Sequence, residues 1–335
     1  MAEKKLTMQQ FAQMIGLSRT TVSLVLQGKG DAYRIARETQ DRVKRLAQEY
    51  NFQPNYHATA LNRGKTGVVG AIFPDVFENF MGLVVRGIES VIYRRGYTMM
   101  LSTTRFDNQL EKRLVEQYLY QGVDGFLLVF TAPFRRQQFD YSHLEQIQEQ
   151  GIPMVLIDRY LPGFSAPMVI GKDYEQAYEG VHGLLTEHIT RIVCITLDLE
   201  ITTIDARIRG YIDAAKQGGI PPEVIRLEQC DPHSDDLWKA LSQIVEDVQS
   251  QGRLSELAVF STTSGLADKA AWIFRQLGLV PGRDVTILRF GTTTQWLDAG
   301  IRDIPQPQEQ MGKEAAHMLL QMIETGTTPE DRVLG

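Results

Sequence analysis

The chain has 335 residues, 43% hydrophobic and 23% charged, a balance typical of a globular protein with two or three domains. Two cysteines, Cys194 and Cys230, are too few for a disulfide framework, and the opening MAEKKLTMQQ lacks the apolar core of a signal peptide. No apolar run approaches the ~20 residues of a membrane-spanning helix. We therefore expect a cytoplasmic protein whose thiols pack as small hydrophobic groups.

The net charge of −6 is unevenly distributed along the chain. Residues 1–66 carry 11 lysines and arginines against five acids, a net charge of +6, which leaves −12 on the rest. A basic segment attached to an acidic body is the pattern expected of a module that binds a polyanion such as DNA. A solvated basic face with no partner would give the same pattern, so charge alone does not decide between them.

Three amphipathic helices are predicted in the basic segment, at about 8–15, 19–27 and 38–50. Thr7 has capping-box spacing to Gln10, Gly16 ends the first helix, and Ser18 can cap the second. Side chains at helical spacing form one apolar face on each helix. The residues predicted to face the core are Phe11, Met14, Ile15, Val22, Val25, Leu26, Val43, Leu46, Ala47 and Tyr50.

The first two helices and the tight turn between them predict a helix-turn-helix. In that motif the second helix lies in the major groove with its N-terminal side chains on base edges. Arg19 is the leading base reader because its planar fork can bond guanine O6 and N7 together, and Thr20 lies beside it. Short hydroxyl side chains near helix N-termini suit phosphate contacts, although some also serve as caps. The phosphate candidates are Thr7, Ser18, Thr21 and Ser23.

The stretch LTMQQFAQMIGLSRTTVSLVLQGKG, the Asn-Phe-Gln-Pro-Asn after the third helix and the following Ala-x-x-Leu resemble the head of LacI/GalR-family transcriptional regulators. The resemblance implies a hinge helix at about 56–63, capped by Asn55, that folds when a dimer grips its operator. It also implies that Leu61 enters the minor groove, where an apolar wedge unstacks a base step and bends the DNA. Ala58 and Arg63 complete the predicted DNA-binding set.

The residues at 32–35 make the turn after the second helix longer than in most family members. That turn, together with the Ser-Arg-Thr-Thr opening of the second helix, is similar to the fructose-repressor branch of the family. In the family, symmetric dimers read pseudo-palindromic operators with one half-site per head, so the resemblance implies a homodimer on double-stranded DNA. We predict a transcriptional regulator that acts as a repressor.

From residue 68 onward, short apolar runs alternate with amphipathic helical stretches. This alternation predicts an α/β fold with parallel sheets covered on both faces. The predicted strands are 68–73, 98–103, 125–130, 154–157, 168–170, 192–196, 225–227, 258–261 and 285–290. The resemblance implies a two-lobed, periplasmic-binding-protein-like core. The predicted division is helix-turn-helix 1–54, hinge 55–66 and core 67–335, with lobe one at 67–166 and 298–324 and lobe two at 167–297 and 325–335.

Ligands of such folds bind in the cleft beyond the carboxyl ends of the strands. Leu-Ile-Asp-Arg at 156–159 and Arg-x-x-Gly-aromatic at 207–211 match family motifs. By that resemblance Asp158 lies at the cleft and Arg207 binds the effector, whereas Arg159 is equally well explained by a salt bridge between the lobes. Asp75, Arg105 and Gln306 complete this part of the predicted effector set.

Two sugar-binding motifs of the family are missing from the second lobe. Thr-Thr-Ser at 262–264 replaces an Asn-Asp pair, and Arg-Phe-Gly-Thr at 289–292 lacks the usual Asp. The predicted cleft is therefore richer in donors and cations, and guanidinium forks suit phosphate or carboxylate. We predict an anionic effector such as a phosphorylated sugar, with a cleft that binds no ligand as the alternative. The residues that carry this prediction are Lys172, Arg207, Thr262, Ser264 and Arg289.

An enzyme is the main competing class, since related α/β folds also host catalysis. Asn-Arg-Gly-Lys-Thr at 62–66 lacks the first glycine of a P-loop, because Thr59 stands there. The six histidines have no metal-ligand spacing, and no Gly-x-Ser-x-Gly or His-Glu-x-x-His occurs. We therefore predict no catalytic residues, metal or cofactor. A solute-binding or carbohydrate-processing α/β protein without DNA regulation is the second alternative, and the basic head counts against it.

Overall fold

The computed structural model describes residues 6–52, 64–76, 79–135, 137–228, 235–291 and 300–335. Close contacts divide the chain into two units, with the boundary between Gly67 and Val68. None of the helices in the described ranges is long and apolar enough to cross a membrane. We call the first unit the head and the second the core.

The head consists of three helices, α1 (Met8–Met14), α2 (Arg19–Leu26) and α3 (Arg37–Glu49). Their apolar faces meet in one cluster, in which the rings of Phe11 and Phe52 stack with centroids 4.1 Å apart. Two predicted core positions are wrong, since Met14 and Tyr50 are each nearly half exposed. Ala12 is buried in α1 instead, on the same side as Ile15. At the end of α3 the chain turns inward and buries Phe52 where Tyr50 was expected.

The core contains two wholly parallel sheets flanked by helices. Sheet one is formed by β1 (Val68–Phe73), β2 (Thr98–Thr103), β3 (Gly125–Leu128), β4 (Met154–Ile157), β5 (Met168–Gly171) and β11 (Arg332–Leu334), in the order β11-β5-β4-β3-β1-β2. Sheet two is formed by β6 (Arg191–Leu197), β7 (Glu223–Leu227), β8 (Leu257–Ser261), β9 (Thr286–Phe290) and β10 (Ile301–Ile304), in the order β10-β9-β8-β6-β7. We call the layers around these sheets lobe one and lobe two.

The predicted lobe boundaries need correction at three strands. The sequence prediction placed β5 and residues 325–335 in lobe two and 298–304 in lobe one. The structure pairs β5 with β4, through Ile157 and Val169, and pairs β11 with β5. It also pairs β10 with β9 in sheet two. A run of apolar residues marks a strand, but it carries no information about which neighbour that strand pairs with.

Eight helices cover the two sheets in the described part of the core. They are α4 (Asn79–Ile92), α5 (Asn108–Gln121), α6 (Ser142–Glu149), α7 (Asp173–Leu185), α8 (Thr202–Gln217), α9 (Asp236–Ser250), α10 (Ser264–Gln276) and α11 (Gln308–Thr325). Continuous Val/Ile/Leu strands need cover on both faces, and these helices supply it. Cys194 on β6 is fully buried, as predicted, and burial raises the pKa of its thiol, which keeps it protonated. Cys230 lies outside the described residues.

Helix α11 returns to lobe one and crosses α4 at very short range through two glycines. A Cβ on Gly312 would lie 2.0 Å from the carbonyl oxygen of Val84, and one on Gly87 would lie 2.1 Å from that of Glu309. The two backbones therefore approach more closely than any other residue type allows. This contact anchors α11 to lobe one.

We expect Gly312→Ala to lower the free energy of unfolding by about 1–3 kcal/mol, because the added methyl group forces the two helices apart. The matched control is Gly183→Ala on α7, where an added Cβ meets nothing within 4 Å. That change should raise stability slightly, since alanine favours helix over glycine by about 1 kcal/mol. Urea unfolding of both variants tests the crossing, and equal effects would contradict it.

Candidate functional site

Hydroxyl side chains cap the first two helices of the head, as predicted. The Thr7 hydroxyl accepts from the Gln10 amide (3.3 Å), and the Gln10 side-chain oxygen accepts from the Thr7 amide (3.0 Å), which completes a capping box. The Ser18 hydroxyl accepts from the Thr21 amide (3.0 Å) and lies 2.8 Å from the Thr21 hydroxyl. These bonds set the start of each helix and so fix where α2 presents its first turn.

The outer face of α2 carries the predicted base-reading side chains. Val22 and Val25 are buried in the head, whereas Arg19 and Thr20 are exposed. Arg19 forms no ion pair with any residue of the head that the structure describes, so its guanidinium donors are available to a partner. Ser23, the remaining phosphate candidate, accepts a hydrogen bond from the Gln27 side chain (3.0 Å). The predicted hinge residues Asn55, Ala58, Leu61 and Arg63 lie outside the described residues.

Arg207 is the centre of a buried polar cluster at the carboxyl ends of the strands of lobe two. Its Nε and Nη2 atoms bond Asp173 Oδ1 at 2.8 and 2.7 Å, and Nη1 donates to the Thr262 carbonyl oxygen at 2.7 Å. The guanidinium carbon lies 4.2 Å from the centroid of the Phe290 ring, a cation–π contact. The Thr262 hydroxyl donates to Thr196 at 2.8 Å. The cluster joins α7, α8, β8 and β9.

Asp173 was not among the predicted site residues. It is the first residue of α7, two residues after β5 ends at Gly171, and only 5% of it is exposed. Burial raises the pKa of its carboxyl group, and the adjacent Arg207 opposes that shift. The sequence signal was present, because an acid that opens a helix at the carboxyl end of a parallel strand points into the cleft region. The resemblance gave no role to this position, and so it was passed over.

Asp158 and Arg159 follow β4 at the junction of the lobes, and both are buried. Asp158 has a left-handed backbone (φ 70°), and its carboxylate pairs with Arg159 at 2.9 Å. Arg159 also donates to the carbonyl oxygen of Phe130, in lobe one. Among the described residues, Arg159 therefore pairs within lobe one, and the predicted alternative of a salt bridge between the lobes is not seen there. Two hydrogen bonds join the lobes here: the Thr203 hydroxyl donates to the Asp158 carbonyl oxygen at 2.8 Å, and the Tyr160 amide donates to the Thr202 hydroxyl at 3.3 Å.

Arg289 does not join the Arg207 cluster. Its side chain is 1% exposed and pairs with Asp303 and Asp268, each at 2.7 Å. Neighbouring strand residues point to opposite faces of a sheet, so Arg289 lies on the α10 side while Phe290 lies on the Arg207 side. The prediction that Arg289 is an effector-binding cation is therefore wrong, because its side chain lies on the opposite face of the sheet from Arg207 and is paired with two carboxylates.

The other predicted effector residues each follow the carboxyl end of a strand: Asp75 follows β1, Arg105 β2, Lys172 β5, Ser264 β8 and Gln306 β10. Asp75 is half-buried and accepts from the Val76 amide, and Arg105 is exposed. The Lys172 side chain is exposed, and its backbone amide donates to Leu334. Ser264 and Gln306 are partly buried, the former at the start of α10. Arg105 and Lys172 form no ion pair with any residue in the described ranges.

A segment of lobe one, residues 131–135, reaches across to lobe two, and we call it the clasp. Ala132 packs in the apolar core of lobe two. Phe134 forms an antiparallel bridge with Leu199, and the Arg135 amide donates to the Asp198 carbonyl oxygen at 3.0 Å. The Arg135 guanidinium also pairs with the carboxylates of Asp198 (3.4 Å) and Asp205. No pattern in the sequence predicted the clasp.

The base of the clasp is held by a buried network within lobe one. The Glu111 carboxylate accepts from the Thr131 amide and lies 2.7 Å from His143 Nε2. The hydroxyls of Thr104 and Thr131 lie 2.6 Å apart, and the Tyr141 hydroxyl donates to the Thr131 carbonyl oxygen at 3.0 Å. Buried hydrogen bonds at both the amide and the carbonyl oxygen of Thr131 hold this part of the backbone in place. The start of the clasp is therefore fixed to lobe one.

A helix-turn-helix head followed by two parallel α/β lobes with a polar cluster at their strand ends is the architecture of a ligand-responsive DNA-binding regulator. Three family models match the chain: "Bacterial regulatory proteins, lacI family" over residues 7–55, "Periplasmic binding proteins and sugar binding domain of LacI family" over 66–249, and "Periplasmic binding protein-like domain" over 181–334. The chain belongs to the LacI family of bacterial regulatory proteins, and it is a DNA-binding transcriptional regulator.

Relatives and solved structures agree with this assignment. The fructose operon regulatory protein of Vibrio cholerae serotype O1 is 27% identical over 64% of this chain and 65% of its own length. The transcriptional repressor CytR of Escherichia coli K12 is 26% identical over 96% of this chain and 91% of its own. The lac repressor dimer bound to operator and the anti-inducer ONPF shares the fold, with a TM-score of 0.79 and 18% identity, over 99% of this chain and 96% of that one.

Proposed function

We propose that this regulator acts in the cytoplasm as a homodimeric repressor whose operator affinity is set by a small effector in the cleft between the lobes. The observation that carries the proposal is the Arg207 cluster, a buried set of oriented donors and acceptors where parallel α/β folds bind ligands. It lies in the same chain as a head whose α2 presents an exposed Arg19, which forms no ion pair within the described part of the head. One half-site per head on a pseudo-palindrome follows from two-fold symmetry.

The effector that this cluster suits best is a neutral polyhydroxylated molecule. The anion prediction relied on unpaired cations, but Asp173 neutralises Arg207, and Arg289 pairs with Asp268 and Asp303. An anion at Arg207 would meet the Asp173 carboxylate at close range. A sugar hydroxyl both donates and accepts, so it can bond a guanidinium and a carboxylate that lie side by side.

A phosphorylated sugar is the second candidate, because two exposed cations follow strands of lobe one: Lys172, the residue before Asp173, and Arg105, after β2. Relatives support the sugar class in general. One solved structure, 23% identical with a TM-score of 0.67 over 98% of this chain and 97% of that one, is a complex of the regulator CelR with cellobiose. Another, from Enterococcus faecium, is titled with bound ribose and has a TM-score of 0.66 over 80% of this chain and 94% of that one.

Isothermal titration calorimetry separates the two candidates. The ligands are ribose, fructose, glucose and cellobiose, each monosaccharide in free and phosphorylated form. We expect a free sugar to bind more tightly than its phosphate. Tight binding of a phosphate alone would select the second candidate, and no binding by any ligand would contradict a sugar-sensing cleft.

Asp173→Asn provides the matched variant for this titration. It keeps the shape of the side chain and leaves the charge of Arg207 without a counter-ion. We expect affinity to shift toward the phosphorylated sugars at the expense of the free ones. If the ratio of the two affinities stays unchanged, Asp173 has no part in selecting the effector.

The clasp connects the cleft to lobe movement in this proposal. Effector binding changes DNA affinity only if it favours one arrangement of the lobes over another. Arg135 stabilises the arrangement seen here through Asp198 and Asp205. Because its side chain is more than one-third exposed, these ion pairs contribute modestly, on the order of 1 kcal/mol or less.

We expect Arg135→Ala to weaken binding of the sugar selected by calorimetry up to about fivefold, which corresponds to about 1 kcal/mol. The control is Arg302→Ala, which removes an exposed pair with Glu187 inside lobe two. Calorimetry on the two variants tests the effect. Equal affinities would mean that the Arg135 ion pairs do not restrain the lobes.

A further inference from the structure

The turn between α2 and α3, residues 28–36, is held by hydrogen bonds to the buried side chain of Gln40. The Gln40 side-chain amide donates to Asp31 Oδ1 and to the Ile35 carbonyl oxygen, each at 2.9 Å. The Ile35 amide donates a hydrogen bond to the Gly30 carbonyl oxygen at 2.9 Å. A Cβ on Gly30 would lie 2.3 Å from Gln40 Cδ, so only glycine lets Gln40 pack against the turn.

This framework presents two side chains to solvent at the crest of the turn. Tyr33 is 61% exposed, and Arg34, held in the left-handed conformation at φ 54°, is exposed beside it. Neither forms an ion pair or a side-chain hydrogen bond with any residue of the described head. Asp31, the acid within the turn, is engaged by Gln40. A hydrogen-bonded turn therefore carries an exposed aromatic hydroxyl and a guanidinium that pairs with no described residue of the head.

The turn begins where the recognition helix α2 ends, since the Lys29 amide donates to the Leu24 carbonyl oxygen at 2.9 Å. Helix α2 has eight residues and is therefore about 12 Å long. The major groove is also about 12 Å wide. If the first turn of α2 reads base edges, the segment just beyond its last turn lies at the rim of the groove, where the phosphates are.

We propose that Tyr33 and Arg34 form a second DNA contact, in which they bind backbone phosphates at the rim of the groove that α2 enters. Arg34 supplies a charge-assisted bond and Tyr33 a neutral hydroxyl bond to phosphate oxygens. These contacts position the head on DNA and carry no sequence information. The proposal rests on DNA binding by the head, and it adds residues that lie outside the two helices of the helix-turn-helix.

The test compares Arg34→Ala with Arg45→Ala in the full chain. Arg45 lies on the face of α3 opposite Val43 and is 71% exposed, so its removal changes net charge equally. Affinities are measured by fluorescence anisotropy over a salt series. The duplexes are the site that wild-type protein selects from a random-sequence library and a scrambled version of that site.

We expect Arg34→Ala to weaken binding to both duplexes by the same factor. The slope of log affinity against log salt should become shallower by about two. Each lost phosphate contact reduces the slope by about 0.9, and a dimer loses one contact in each of its two heads. Tyr33→Phe should lower affinity for both duplexes without changing the slope. Arg45→Ala should leave slope and affinity near wild type.

Three results would overturn the proposal. Arg34→Ala could match Arg45→Ala, or it could change the ratio of specific to scrambled binding, which would make Arg34 a base reader. It could also lose helix content by circular dichroism, which would make Arg34 structural. If the wild-type protein selects no site from the library, that result counts against DNA-binding regulation itself. The selection precedes every variant measurement, so this failure is distinguished from a failure of the Arg34 proposal.

Discussion

Asp173→Leu is expected to lower the free energy of unfolding of the core by about 3–5 kcal/mol, because it leaves the buried guanidinium of Arg207 without its counter-ion. Asp173 and Arg207 are 5% and 7% exposed, so little solvent reaches the charge that remains. The Thr262 carbonyl oxygen and the Phe290 ring would still contact Arg207, but neither carries a formal negative charge.

The double variant Asp173→Leu with Arg207→Met tests whether the loss of stability comes from the unpaired charge. Replacing a buried ion pair by apolar side chains of similar size is often near neutral, so the double variant should recover much of the loss. The coupling measured by such a cycle isolates the pair. Urea unfolding of wild type, both single variants and the double variant gives the cycle. Additive losses would show that the two residues do not act as a pair.

Arg19→Ala is expected to weaken binding to the selected operator by about 1–3 kcal/mol for each half-site, or about 2–6 kcal/mol for a symmetric dimer. The reason is the loss of a bidentate bond to one base in each half-site. Binding to a scrambled duplex should fall far less, because non-specific affinity depends on the many phosphate contacts. The specificity ratio should therefore collapse.

Arg19→Lys serves as the matched variant for this prediction. Lysine keeps the charge but lacks the planar fork, so it should retain non-specific affinity and lose most of the discrimination. Fluorescence anisotropy on both duplexes measures the two quantities. Equal losses on operator and scrambled DNA would place Arg19 on the phosphates and remove it from the base-reading role.

The parts of the fold that the sequence predicted well are those fixed by short-range chemistry. The capping of α1 and α2 follows from Thr7 and Ser18, because a hydroxyl reaches an amide three residues ahead. Most strands follow from runs of apolar residues, because buried parallel sheets need them. The family could also be predicted from the sequence, because the head motif is contiguous from residue 7 to 55.

The features that were missed depend on contacts between distant parts of the chain. Asp173 meets Arg207 34 residues later, and the Ala132 region inserts into a core formed by lobe two. Local spacing can mark Asp173 as a residue of the cleft region, but it does not specify that Asp173 meets Arg207 or that Ala132 packs in lobe two. The assignment of Arg289 failed for a simpler reason, the face of its strand. Side chains alternate between the two faces of a strand, and this alternation could have indicated which way Arg289 points. Leu288 and Phe290 lie on one side of β9, and Arg289 lies on the other.

The most direct test of the account is selection of bound DNA from a random-sequence library by the full-length protein, followed by sequencing. The account predicts an enriched inverted repeat whose two half-sites are related by two-fold symmetry, and this enrichment should vanish for Arg19→Ala. A library that shows no enriched inverted repeat after selection would contradict a dimeric, sequence-specific regulator.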